Sequence, residues 1–391
     1  MVVSQRVSLL RPTAVNAILQ EVRALQAEGR DVVSLMRGEP DMKTPPHIVE
    51  AATRALCNGR TAYPDNRGEP ALREAVAARL ARDNGLRYDP GAEVLVTTGA
   101  TFGIYAALTA LINEGDGVLV PDPVYDAYAS VIRMAGGLIQ PVRAVLESGR
   151  FCLPVDALDS ACTEVSKVLL LNSPWNPTGS VLSEEELLQI AQFAARRNLH
   201  LISDEIYEAI TYDGHEHYSP ARLSPAFRER CIVVNSLSKT YAMTGWRIGY
   251  CAAPKHLISA MFLVLQQSSR GPATFVQDAA TVALNGSQDC VREMRGEYAA
   301  RRDAVVNGLR GIPGARVIEP EGGFFAMVDV RETELPSEDI RRRLLKESGV
   351  VVVHGGAYGP GGEGTLRVSF ASGGANLARG LERLRAGLET L

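Results

Sequence analysis

The chain has 391 residues, 46% of them hydrophobic and 22% charged, with 41 basic against 45 acidic side chains and a formal charge of −4. That balance suits a globular protein with a sizeable core and excludes the basic footprint of a nucleic-acid binder. At this length two domains are the expectation.

The opening MVVSQRVSLLRP has no long apolar run of signal-peptide type. Helical spacing extends over 14–29 and stops at a glycine. The loop MRGEPDMKTPPH follows, and its prolines and glycine exclude regular structure across 38–46. Short apolar runs then alternate with helical segments. Strands are predicted at 94–98, 118–120, 168–171, 201–203, 232–235 and 248–252. A helix over 183–197 opens with Ser183 and Glu186 as a capping box. Such alternation predicts an α/β layer with a largely parallel sheet. From about residue 286 the pattern changes to helices near 286–310 and 337–348, strands at 324–330, 350–353 and 365–369, and a terminal helix. These predict a smaller α+β domain, in which Arg341-Arg342-Arg343 forms the wet face of a helix. No stretch of about 18 apolar residues is present to span a membrane. The cysteines (Cys57, Cys152, Cys162, Cys231, Cys251 and Cys290) form no C-x-x-C pair, as expected of reduced thiols in a cytoplasmic protein.

Open α/β sheets bind ligands at the carboxyl ends of their strands. Four polar features fall there: Gly99-Ala100-Thr101, Asn176-Pro177-Thr178-Gly179, Asp204, and Ser236 to Lys239. Only five lysines are present (Lys43, Lys167, Lys239, Lys255 and Lys346), and Lys239 follows an apolar strand among small residues. Desolvation there lowers a lysine pKa and suits it to Schiff-base chemistry. Taken alone, Lys239 reads more simply as a surface lysine; its neighbours change that. Ser236, Ser238 and Arg247 offer the hydroxyls and guanidinium that a phosphate monoester needs. Backbone amides where Gly99-Ala100-Thr101 opens a helix add further donors.

The segments GEPD (38–41), NSPWNPTG (172–179), SDEIYE (203–208), SLSKTYAMTGWRIGY (236–250) and LRVSFA (366–371) resemble, in order and spacing, the motifs of class I, fold-type I aminotransferases. The pattern is most similar to the bacterial aspartate-aminotransferase-like subgroup; RPTAVNAI and GRTAYPDNRGEPALREAV also fit. The resemblance implies pyridoxal 5'-phosphate as cofactor. It implies a cytoplasmic homodimer with shared active sites, and ping-pong transfer of the α-amino group of an L-amino acid to a 2-oxo acid. It also implies an N-terminal arm with part of the small domain (1–45), a large cofactor-binding domain whose mostly parallel sheet is sandwiched by helices (46–285), and a small α+β domain drawn from both chain ends (286–391).

Residue roles follow from the same resemblance. Lys239 would form the Schiff base and shuttle the α-proton. Asp204 would pair with the pyridine nitrogen, keeping the ring an electron sink. Asn176 and Tyr207 would hydrogen-bond the ring hydroxylate, with Asn176 also near the substrate. Tyr125 would stack on the ring, with Tyr128 as the alternative. Ser236, Arg247, Ala100 and Thr101 would hold the phosphate, and Tyr63 would reach the phosphate of a partner's site. Arg367 would read the α-carboxylate; alternation in TLRVSF sends it to the face opposite Leu366 and Val368. Gly38 would let the loop backbone approach the substrate. Thr101 stands where aspartate-preferring members carry a lysine for the second carboxylate, so that mode of recognition is absent. Arg37 or Arg270 is then expected to charge the side-chain pocket, the alternative being solvent exposure or pairing with Glu39.

Rival patterns are weaker. Ser236-x-x-Lys239 fits S-x-x-K but lacks the companion S-D-N and K-T-G motifs. The glycine-rich run 355–364 is interrupted by Pro360 and reads as a loop between strands. His215-x-His217 reads as a polar turn with no third ligand near, and no metal is expected. A lyase, or other carbanion chemistry on the same scaffold, would keep Lys239, Asp204 and Arg367. A cofactor-binding regulator would need a DNA-binding module, for which no room is expected before Gly38.

Overall fold

Seven runs between residues 94 and 252 pair into one sheet in the computed structural model, which describes residues 4–8, 10 and 12–391; Arg11 of the RPTAVNAI segment lies outside them. The strands are β1 (Val94–Thr97), β2 (Gly117–Asp122), β3 (Leu138–Arg143), β4 (Ser166–Asn172), β5 (His200–Asp204), β6 (Cys231–Ser236) and β7 (Gly249–Ala252). Their spatial order is β1-β7-β6-β5-β4-β2-β3. β7 runs antiparallel to both neighbours, and every other pair is parallel. β1, β2, β6 and β7 are buried at every position. Strands covered on both faces read as continuous apolar runs, which is why six of the seven are visible in the sequence. β3 is not: it is a largely exposed edge strand, LIQPVR, and its proline is tolerated only at such an edge.

Successive side chains point to opposite faces. Leu95, Val118, Leu170 and Ile232 enter one core, under helices Ala100–Leu111 and Lys255–Gln267. Val94, Leu119, Leu169 and Val233 enter the other, under Pro46–Cys57, Pro70–Asp83, Glu184–Arg196 and Thr274–Asn285. Burial stabilises by about 1.5–3 kcal/mol for each Val, Leu or Ile. A one-residue slip would reverse every side chain, so the two cores together fix the register. The expected capping box is present, with Ser183 and Glu186 satisfying one another's backbone amides.

The remaining layer joins both ends of the chain. Arg316–Ile318, Phe325–Asp329, Thr365–Ser369 and Val353–His354 form an antiparallel sheet. The strand expected at 350–353 is split between two sheets. Val350–Val351 pairs parallel with Val33–Ser34, while Val353–His354 joins the strand carrying Arg367. Phe324, Val328, Leu366, Val368 and Leu384 form its core, covered by helices Asp289–Gly308 and Gly374–Leu388. Arg341 departs from the wet face expected of it. It is buried, and its Nη1 donates to Glu21 Oε2 at 2.7 Å, while Arg342 stays exposed and Arg343 half-buried. The six cysteines are free thiols, with Cys231 and Cys251 buried. Among the described residues no helix is long and apolar enough to cross a membrane.

Candidate active site

β1, β2, β4, β5 and β6 end at one edge of the sheet, where the register sets Asn172 beside Asp204 and Asp204 beside Val234. A cavity of about 500 Å³ opens there, roofed by the 36–38 loop and Arg367. Every candidate residue lines it except Tyr63, Arg37 and Arg270.

Lys239 stands on the turn Leu237–Thr240 that follows β6. Its Nζ donates to the Gly38 carbonyl at 2.6 Å. Burial pushes its pKa down to about 8; Glu39 opposes the shift, and Arg247 and Arg367 add to it. A Cβ on Gly38 would meet nothing within 4 Å, so the space beside it belongs to the cavity rather than to protein neighbours.

An anion cradle lies at the next strand end. Gly99 heads the 12-residue helix Ala100–Leu111 at φ +83°, and a Cβ there would fall 2.6 Å from Arg247 Nη2. Only glycine therefore lets the guanidinium approach the helix amides. Those amides have no partners inside the helix and carry the positive end of its dipole. Ser236 and Ser238 complete the wall, and Arg247 is anchored through Nη1 to the Thr244 carbonyl at 2.9 Å. The set fits a phosphate dianion.

Asp204 is 3% exposed at the end of β5. Burial raises its pKa to about 6, against the lowering effect of the Tyr128 hydroxyl, which donates to Oδ2 at 2.5 Å. A buried carboxylate of this kind is suited to a cationic ring N–H. Tyr125 and Tyr128 meet edge to face at 5.4 Å. Tyr128 commits its hydroxyl to Asp204, which leaves Tyr125 as the aromatic wall. Tyr207 is buried, edge-on to Phe324 at 5.3 Å.

Arg367 is 3% exposed. Its Nη1 donates to Asn176 Oδ1 and its Nη2 to the Met36 carbonyl, both at 3.2 Å. The guanidinium lies 4.0 Å from the Phe325 ring centroid and 4.8 Å from that of Tyr358. Its Nε is buried without a partner. An unpaired donor on a buried cation is costly, and a bidentate carboxylate is the ligand that completes it.

Three candidate residues lie outside this cavity. Arg37 turns onto Glu39 and Pro40, with Nε 3.1 Å from the Glu39 carbonyl, so the alternative pairing is the one observed. Arg270 lies exposed at φ +56°. Tyr63 is 87% exposed and far from enclosed by its own chain. His217 is a further correction, since it is buried rather than part of a polar turn. Its Nε2 is 3.1 Å from Glu205 Oε2, and Glu208 completes a group whose ligand atoms lie within 4.8 Å of one another. Glu208 and Glu205 precede His217 by 9 and 12 residues, and the fold turns the chain back to bring the three together. Ser203 and Ser219 donate to Glu205, while Arg79, Asn84 and Asn235 hold Glu208, making a buried ionic network. Burial opposes a charged His217, but Glu205 outweighs it and raises the pKa.

Several lining residues escaped the sequence reading. Thr13 and Asn16 carry the only advance signal, as part of RPTAVNAI. Asp126 and Phe325 gave none. Tyr358, which packs behind the Arg367 guanidinium rather than on the cavity wall, lies in the glycine-rich loop, which is tied to the end of β2 by Gly361 N–H donating to Asp122 at 3.0 Å and Val124 N–H to the Tyr358 carbonyl at 2.9 Å.

Comparison with known proteins adds an independent finding. Residues 30–384 match the family model for aminotransferase class I and II. An aspartate aminotransferase of Pyrococcus abyssi is 40% identical over 98% of this chain and 97% of its own length. Aromatic-amino-acid aminotransferase 2 of Thermococcus litoralis is 37% identical over 98% of this chain and 97% of its own. The crystal structure of the aspartate aminotransferase from Rhizobium meliloti superposes with a TM-score of 0.95 at 34% identity, covering 100% of this chain and 99% of that one.

Proposed function

The chain belongs to the class I and II aminotransferases, and from that premise we propose the roles its cavity residues play in moving an amino group from an amino acid to a 2-oxo acid. The enzyme depends on pyridoxal 5'-phosphate. When bound, that cofactor supplies an aldehyde for the amine and a protonated ring that withdraws electrons from Cα.

Everything else falls to the chain. Gly99, the amides of Ala100 and Thr101, Ser236 and Arg247 would hold the phosphate. Asp204, oriented by Tyr128, keeps a proton on the ring nitrogen. Asn176 and Tyr207 would hydrogen-bond the ring hydroxyl, and Tyr125 would cover the ring. Arg367 would grip the α-carboxylate through its free Nε edge. Lys239 Nζ would then act as general base toward the α-proton and hold it for return. A pKa near 8 supports this role, because an appreciable fraction of the amine is neutral around neutral pH. The orphaned Arg367 Nε is the observation that carries the substrate half of this reading.

We extend the proposal to a cytoplasmic homodimer that follows ping-pong order. The exposed Tyr63 side chain supports a site shared between copies. The two hydrophobic layers, with strand 33–34 paired to 350–351, support the division into 1–45, 46–285 and 286–391. Elimination chemistry is not favoured, since the relatives carry aminotransferase names. Stopped-flow spectra with one amino acid and no acceptor test the reading. Conversion of the holoenzyme to its amino form, reversed by a 2-oxo acid, is expected; release of ammonia without acceptor would indicate a lyase.

A further inference from the structure

This inference rests on the aminotransferase reading and concerns the substrate side chain. Asp126 lines the cavity with Thr13, Asn16 and Arg367. It stands at the head of helix Ala127–Met134 but makes no side-chain cap bond to it. Its Oδ2 is buried without a hydrogen-bond partner, as is the nearby Tyr358 hydroxyl. Burial raises the Asp126 pKa, while Arg367 and Thr13 favour the ionised form. Thr13 and the Ala127 amide face the carboxylate, but Oδ2 itself is left buried without a partner, and leaving it so is costly.

A count of charges shows what is missing. With cofactor and amino acid bound, the phosphate occupies Arg247, the ring nitrogen occupies Asp204 and the α-carboxylate occupies Arg367. Among the described residues, Asp126 remains the one acidic group on the cavity wall that none of these claims. The only part of the ligand left to meet it is the substrate side chain. A carboxylate there would meet like charge, which disfavours it strongly. Thr101 offers only a hydroxyl, and the Arg37 guanidinium is held by Glu39 and Pro40, so among the described residues no uncommitted cation lines this cavity to offset that repulsion.

We propose that Asp126 selects the amino donor by accepting a hydrogen bond from a substrate side chain that ends in an N–H or O–H group, and by rejecting a second carboxylate. Its action is on specificity, through an acceptor facing the side chain.

The test uses the purified holoenzyme and single amino donors in half-reactions without acceptor. Glutamine against glutamate and asparagine against aspartate are pairs of nearly equal shape. The wild type is expected to favour each amide over its acid at least tenfold in kcat/KM. Asp126→Asn is expected to lower that ratio at least tenfold. A wild type that prefers the acids overturns the inference, as does an Asp126→Asn enzyme in which all donors fall by one common factor, since that marks a residue positioning Arg367. If the variant fails to fold, the wild-type ratios decide. Failure of every donor to react contradicts the aminotransferase reading itself, and is distinguishable because no ratio then exists.

Discussion

The Tyr128 hydroxyl donates to Asp204 Oδ2 at 2.5 Å beneath the cavity floor, where both side chains are almost fully buried. Water cannot replace that bond. Tyr128→Phe leaves Asp204 with only the Ile206 amide, at 3.3 Å, and with a higher pKa. A hydrogen bond to a charged group contributes about 1.5–3 kcal/mol, so kcat/KM is expected to fall roughly 10- to 150-fold. Weaker cofactor binding should accompany the loss, read by equilibrium titration of the apoenzyme.

Arg367 offers a planar fork that lysine cannot reproduce. Arg367→Lys is expected to cost about 2–5 kcal/mol of substrate binding, or roughly 30- to 5000-fold in kcat/KM. The loss should appear with every amino donor, because the α-carboxylate is common to all. Steady-state kinetics across several donors check this.

Lys239 gives a pH prediction. Burial lowers its pKa to about 8, so the nucleophilic neutral amine is the minor form below that pH and the major form above it. Reconstitution of the apoenzyme with the cofactor is expected to accelerate roughly tenfold per pH unit below 8 and to level off above it. Stopped-flow absorbance across pH 6 to 10 measures the midpoint; a midpoint near 10.5, the ordinary lysine value, contradicts the burial argument.

Much of this site was legible because strand ends carry it. The apolar runs preceding Asn172, Asp204 and Ser236 located three of the four walls, and the sheet register placed them side by side. What stayed hidden depends on long-range packing. Nothing in the sequence marks Tyr128 rather than Tyr125 as the partner of Asp204, since the two lie three residues apart on one short segment. Arg37 looked available until the loop carbonyls of Glu39 and Pro40 were seen to claim it. His217 looked solvated because Glu205 and Glu208 reach it only through the fold. β3 escaped because an exposed edge strand lacks the apolar signature of its buried neighbours.

The buried network below the cavity yields a stability prediction. Arg79 Nη1 lies 2.5 Å from Glu208 Oε1, and both side chains are nearly inaccessible. Arg79→Met removes the paired cation and leaves a buried carboxylate held by the Asn84 and Asn235 amides, with His217 nearby. Breaking such a pair costs about 3–5 kcal/mol, expected as a lower urea midpoint with an unchanged slope.

The central claim is the covalent attachment of the cofactor at Lys239. Borohydride reduction of the holoenzyme, followed by peptide mass mapping, tests it most directly. The phosphopyridoxyl group is expected on Lys239 alone of the five lysines, and absent from the Lys239→Ala protein. Label on Lys43, Lys167, Lys255 or Lys346, or no label at all, would contradict the account.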